Sequence, residues 1–584
     1  MRRLTALLVA VAAAVSLAGG SRAAAPAVSV FPVPGSQVVT PQAQIAFRGI
    51  PAARLGPILV SGSRSGLHLG HVAADSDGQG GSFLPDRPFS DGETVTVATA
   101  LNVLGATAGR FTYVVQQPAY RISPGALATA RRVPGDVRSF RSRPDLRPAA
   151  VKILKAGNTA PGDLFLAPQA GPVQNGPMIL DSRGGLVWFK SVPKGEIATD
   201  FRVQRYRGRP VLTWWQGRSG AGVGVGEDVI DDVHYHQIAV VRAGNGLSAD
   251  LHEFDLTPRG TALITAYNPV FADATAEHGA AHQVVLDSVV QEIDVKTGLV
   301  LFQWDSLDHV PLNDGYTSPP QRLNFPFDYF HINSVDRDDD GNLLISARNT
   351  WAAYKVSSAT GQVTWALGGK HSSFAMGPGS GFAFQHDVRV RAGGDAYLTL
   401  FDDGAGPPRV HGQSRGLKLK LDLAHMTATV AAQYRHSPKL LADFEGNAQQ
   451  LPGGDILLGW GQQPYFNEFT ANGNLIFDGR FVANTTNYRA YRFPWRGDPV
   501  TRPALAASAG RRPMAYASWN GATDVASWRV LGGSSAHSLR AVSTARESGF
   551  ETAIKLPHPQ KYVAAQALNR AGRVLNISPT VRAH

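Results

Sequence analysis

The sequence predicts an all-β protein organised around a repeated unit, and three observations carry that prediction. The chain of 584 residues holds 62 glycines and only 17% charged residues, a composition of short strands and turns. Helical periodicity is scarce, whereas alternation of apolar and polar residues recurs along the chain. A strand, a polar turn and a second strand then return at fixed register.

The elements follow in chain order. Arg2 and Arg3 precede an apolar stretch from Leu4 to Ala18 that ends in small residues, the pattern of a secretory signal peptide over residues 1–25. No membrane span is expected after its removal, and the protein is expected to be secreted or extracytoplasmic. The absence of cysteine excludes disulfides, thiol catalysis and cysteine-type zinc sites, so the domains must hold together on buried apolar surface alone. A formal charge of +11 comes from scattered arginines rather than a basic helix or run, which points away from nucleic acid. It leaves association with cell-wall polymers as an expectation.

Residues 26–117 alternate as a small Ig-like β-sandwich, and the Arg/Pro/Ser-rich residues 118–150 read as a linker. From 151 to 499 the repeat is explicit: Asp200-FRVQRYRGRPVLTWW, His252-EFDLTPRGTALITAY, His331-INSVDRDDDGNLLISAR, His386-DVRVRAGGDAYLTLF and Gly446-NAQQLPGGDILLGWG. With the second hairpins at 293–304, 354–369 and 469–481 and an earlier one at 178–189, the count is about six four-stranded blades. This predicts a six-bladed β-propeller. Residues 505–584, with MAYASWNG and SWRVLGG, read as a fibronectin type III-like β-sandwich.

In a propeller the innermost strands converge on one axis, so equivalent positions of different blades meet. His252, His331 and His386 share the first position of the repeat and are expected to gather at one mouth of the channel. The plain alternative is that each histidine caps a strand or pairs with a neighbouring blade, and a second reading of the trio is a three-histidine metal site with an open position. Arg348, in ISARNT, is placed on the second strand of the His331 hairpin, where a planar fork of donors suits an oxyanion. The His234-Tyr235-His236 triplet and the pair His278 and His282 read as surface features. Gly412-Gln-Ser414-Arg-Gly416 runs into a strand and lacks the strand-to-helix turn of a nucleophile elbow. Asp336–Gly341 reads as a turn, and GAGVGVG (220–226) as a flexible loop. ATGQVTW (359–365) resembles the tryptophan-docking turns of quinone-dependent propeller dehydrogenases, although those turns recur in nearly every blade there.

The ordered set HEFDLTPRGTALITAY, FHINSVDRDDDGNLLISARNTWAAYKV, WALGG, FQHDVRV and FDDGAG resembles the bacterial and fungal branch of the arylsulfotransferases, from about Gly157 to Trp495. That resemblance implies a six-bladed propeller that moves a sulfuryl group from an aryl sulfate to a phenolic acceptor through a sulfated histidine, with no nucleotide donor, cofactor or metal. It implies His386 as the nucleophile. His331, His252 and Arg348 would be sulfuryl-binding or proton-transferring groups, and Asn333 a substrate-binding residue. The enterobacterial members are periplasmic and use a disulfide, whereas this chain has no cysteine and carries an added C-terminal module. A non-catalytic secreted propeller that binds polyanions or cell-wall glycans is the alternative reading.

Overall fold

The computed structural model describes residues 27–125, 131–169, 171, 173–321, 325–391 and 396–584; the signal-peptide prediction, residues 1–25, lies outside them. Among the described residues the chain is all-β, with 3-10 turns as its only helical elements. No helix among them is long and apolar enough to cross a membrane.

The first region folds as two four-stranded antiparallel sheets. One is ordered Ser29–Phe31, Ile45–Arg48, Gly80–Pro85, Gly70–Ala74, and the other Gly66–His68, Leu59–Gly62, Thr94–Ala98, Arg110–Val114. Their alternation buries one face of each strand, and Phe47, Val60, Val95, Val97 and Tyr113 join a common core. The C-terminal region repeats the scheme with a three-stranded and a five-stranded sheet around Trp528, Val530, Ile554 and Val563. It is fastened to the middle region where Asn520 exchanges hydrogen bonds of 3.0 and 2.9 Å with the backbone of Phe189.

The middle region is a succession of antiparallel meanders. Ile197–Tyr206, Arg209–Gly220, Val223–Asp231 and Gln237–Val241 form the first complete one, and Ala249–Leu256, Thr261–Ala272, Gln283–Asp294 and Val300–Asp305 the next. Only the Gly226–Ala249 pairing fuses these two into one sheet. The sheets opening at Ile332–Arg337, His386–Val390 and Asn447–Gln450 follow. Three pairings tie the end of the region to its start: Tyr491–Phe493 with Asp163–Leu166, Thr486–Asn487 with Pro168–Gln169, and Leu475–Phe481 with Val151–Lys155. The apolar clusters lie between successive sheets: Phe302, Val335 and Ile345 share one, Ala353, Val388 and Leu400 the next, and Phe401, Tyr434 and Leu458 another. Each fully buried side chain of this size contributes roughly 1.5–3 kcal/mol, so it is side-chain packing, not backbone pairing, that joins sheet to sheet. The ATGQVTW turn takes part, because Gly361 O accepts a 3.0 Å bond from Trp304 Nε1.

The glycine run corrects the expectation of a flexible loop. Residues 209–220 and 223–231 are the two strands of a long hairpin with its turn at Ala221-Gly222. A Cβ at Gly217, Gly224 or Gly226 would lie 2.8, 2.8 or 2.6 Å from the indole of Trp215, so the glycines make room for a buried ring.

Candidate functional site

In four of the meanders the first strand enters the site through a break in register. The ladder shifts between Thr199 and Arg202, between Ala249 and Phe254, between Ile332 and Ser334, and between His386 and Arg389. Such bulges re-aim side chains locally. Asp200, His331 and Asp387 accordingly adopt left-handed φ values of 50°, 55° and 56°.

The breaks bring the predicted residues together. The rings of His252 and His331 meet edge to face with centroids 5.0 Å apart. Tyr488 fastens their strands by donating to His252 O and Asn333 O, each at 3.0 Å. His386 joins the group electrostatically, because His331 and His252 both act on its titration. Arg348 N donates to His331 O at 2.9 Å, and its guanidinium lies 4.7 Å from the ring centroid of Phe384, two residues before His386. Arg348 stands one residue beyond the strand Leu343–Ala347, not on it as the alternation suggested. There the chain turns, and the side chain reaches Asn349 Oδ1 and Asp443 O at 2.8 Å each. Its Nε has no partner among the described residues.

Each imidazole carries its own carboxylate on Nδ1. Asp250 holds His252 at 2.5 Å, Asp328 holds His331 at 2.5 Å, and Asp403 holds His386 at 2.8 Å. These three acids were not picked out from the sequence. Asp250 lies two residues before its histidine, a spacing that shares a strand face, and Asp403 belongs to the FDDGAG string.

For His386 the hydrogen-bond pattern fixes the tautomer. The backbone N–H of Glu445, which can only donate, points at Nε2 from 3.2 Å. Nε2 is therefore the unprotonated nitrogen, and Nδ1 carries the hydrogen donated to Asp403. Burial first, then the positive charge of Arg348, pushes His386 well below the ordinary histidine range. Burial also lowers His252, against the pull of Asp250. Both imidazoles are thus neutral at neutral pH.

Asn333 is wholly buried, and its Nδ2 donates to Gln385 O at 2.7 Å. It ties the His331 strand to the residue before His386, while its Oδ1 is buried without a partner among the described residues. The hairpin tip contributes a wall that sequence reading missed: a Cβ at Gly222, at φ 79°, would lie 2.9 Å from His331 Cε1.

The other motifs stay apart. His234 bonds Asp498 O at 2.6 Å, and His282 stacks on Phe271 at 4.1 Å. Ser414 donates to Asp403 O at 2.6 Å and leads into the strand Arg415–Asp422. Asp338 and Asp340, in the turn after Ile332–Arg337, pair with Lys355. Among the described residues no group of three or more histidine or carboxylate side chains is spaced to hold a metal ion.

Residues 202–482, which contain all five predicted site residues, match the arylsulfotransferase (ASST) family. Over this stretch the chain is similar to the arylsulfotransferase family. No curated protein matches the chain in sequence. Solved structures similar to it include a protein of unknown function from Bacteroides caccae, at 12% identity over 57% of this chain and 98% of that one, with TM-score 0.34. Others are the periplasmic gluconolactonase of Pseudomonas aeruginosa, at 14% identity over 72% and 96%, TM-score 0.32, and a catalytically inactive virginiamycin B lyase of Staphylococcus aureus, at 8% over 64% and 97%, TM-score 0.31.

Proposed function

We propose that this arylsulfotransferase-like protein is a secreted enzyme that moves a sulfuryl group from an aryl sulfate to a phenolic acceptor through His386. The middle region is read as a six-bladed propeller over 151–499, the residues before 118 and after 505 as flanking β-sandwiches, and residues 1–25 as the export signal.

The observation that carries the reading is the state of His386: a neutral imidazole, oriented by Asp403 on Nδ1, with its lone pair on Nε2. In the first half-reaction that lone pair attacks sulfur, the S–O bond to the aryl group breaks, and the phenolate leaves. In the second, an acceptor phenol oxygen attacks the same sulfur, the N–S bond breaks, and Nε2 regains its lone pair. Negative charge stays on the sulfuryl oxygens throughout. Arg348, with Nε–H uncommitted, is the fixed cation that meets it. His252 and His331 line the same space and offer imidazole groups to the sulfuryl oxygens. Asn333 acts as a positioning residue.

The test is incubation with a chromogenic aryl sulfate labelled in its sulfuryl group, with a phenol as acceptor. The wild-type protein releases the donor phenol and retains acid-labile label between half-reactions; His386→Ala does neither, while its thermal unfolding is unchanged. Equal inertness of both proteins rejects the reading.

A further inference from the structure

The first region, the segment that follows it and the middle region meet around a cavity of about 390 Å³, within the size range of small-molecule sites. Two clamps hold its walls. On one side Thr40 Oγ1 donates to Asn245 O at 2.6 Å and Gln44 N to Asn245 Oδ1 at 3.1 Å. On the other, the segment after the first region lies along the strand Thr261–Ala272: Ala119 N donates to Pro269 O at 2.7 Å and Gln116 Nε2 to Phe271 O at 2.6 Å. The chain around Pro118–Ile122 is thereby fixed as a wall of the cavity.

Asn268 lines this cavity and is wholly buried. Its Oδ1 has no partner among the described residues, and its Nδ2 reaches only Val38 O, at 3.4 Å, longer than an ordinary hydrogen bond. A buried amide left in this state weakens a fold. Further out, the side chains of Gln42, Gln117, Tyr120 and Ser248 line the same space and form no hydrogen bond among the described residues. Three primary amides, each pairing an acceptor with two donors, thus stand with two hydroxyls around the rings of Pro118, Pro269 and Tyr267. Arg121 adds one positive charge, and no carboxylate among the described residues lines the cavity. Such walls suit an uncharged ring with several adjacent hydroxyls and an apolar C–H face.

We propose that this cavity is a binding site for a sugar unit, whose hydroxyls pair with the amides of Asn268, Gln42 and Gln117 and whose C–H face rests against the tyrosine and proline rings. The site stands whether or not His386 is a nucleophile. It shares two wall residues with the histidine layer. Tyr267, with its hydroxyl on Ile332 O, holds its ring centroid 6.2 Å from that of His252 and 6.1 Å from that of His331. Gly224 N donates at 2.6 Å to Asp250, the carboxylate on His252. A sugar in the cavity therefore lies one side chain away from the imidazoles.

The experiment is saturation-transfer NMR on the full chain with the methyl and phenyl glycosides of glucose, galactose, mannose and N-acetylglucosamine. At least one methyl glycoside shows saturable transfer. Ser248→Trp, which fills the cavity from an exposed position, weakens that binding about tenfold or more at an unchanged melting temperature. Asn268→Leu weakens it likewise and, because it removes an unpaired amide, leaves the melting temperature equal or higher; should this variant not fold, Ser248→Trp decides alone. No saturable transfer from any methyl glycoside overturns the proposal, and so does transfer that survives both substitutions. Binding of inorganic sulfate that Arg121→Ala removes, with no glycoside bound, overturns it in favour of an anion site. Tighter binding of the phenyl than of the methyl glycoside upholds it and identifies the sugar of a phenolic substrate, whereas equal binding upholds it and identifies a unit of a glycan. A protein inert toward aryl sulfates rejects the sulfuryl-transfer reading and leaves the sugar site as the glycosides define it.

Discussion

His252 and Glu253 are neighbours on one strand, and His386 and Asp387 on another, yet the two layers they belong to have opposite electrostatics. In the deeper layer every charge is answered. Arg389 reaches Glu253 at 2.5 Å and Asp387 at 2.8 Å, Arg489 reaches Asp200 at 2.8 Å, and Arg202 reaches Glu253 at 2.9 Å. Burial alone would raise Glu253, but Arg389, Arg489 and Arg202 hold it down to about 2. In the histidine layer above, Arg348 stands beside an imidazole that burial keeps neutral, and the Glu445 carboxyl, which burial pushes up to about 8, keeps its proton. The same strands thus supply a layer whose charges cancel, which fixes their positions, and a layer whose charges await an anion.

Substitutions can break this contrast from either side. The largest effect is expected at Asp403→Asn: an amide can donate to Nδ1 and so move the ring hydrogen to Nε2, which removes the nucleophilic lone pair. A fall of about 10³–10⁴-fold in turnover follows, as when the orienting carboxylate of a hydrolase triad is amidated, with little change in melting temperature. Glu253→Gln attacks the other layer. It leaves Arg202, Arg389 and Arg489 with unpaired positive charge in a buried site, and unfolding in denaturant should show a loss of about 3–5 kcal/mol. Because the folded pKa of Glu253 is depressed, its stabilisation is present above the ordinary carboxylate range and is lost as pH falls toward about 2; the wild type should resist acid unfolding better than the variant. The smallest effect is expected at Gly222→Ala. A left-handed alanine costs about 1–2 kcal/mol, and its methyl group presses on His331, so turnover should fall several-fold while His386 labelling with a good donor persists. Melting curves and label retention on one preparation separate the two contributions.

Much of this organisation was legible in the sequence, and what was not has physical reasons. The three histidines were found because repeat register converts a shared position in sequence into a shared place in space. Arg348 and Asn333 were found through the strings around them. Asp328 and Asp403 escaped because each comes from a connecting segment or strand end whose path the repeat does not set. Glu445 escaped because its importance lies in a backbone N–H, which leaves no trace in residue type. The glycines at 224 and 226 read as flexibility, since composition alone does not reveal that an indole occupies the space a Cβ would need. The Asn333 amide Nδ2 serves Gln385 O, a backbone partner that no motif announces.

The left-handed residues Asp200, His331, Asp387 and Glu445 have a practical corollary for anyone hardening the protein against heat. Glycine at any of them would relieve on the order of 1 kcal/mol of strain, and a screen for endurance alone would favour such changes. Each would delete a side chain that the bulged strands exist to aim. A heat-resistant derivative selected without an activity criterion would keep its sheets and lose its chemistry, first at His331, whose replacement by glycine removes one of the gathered imidazoles.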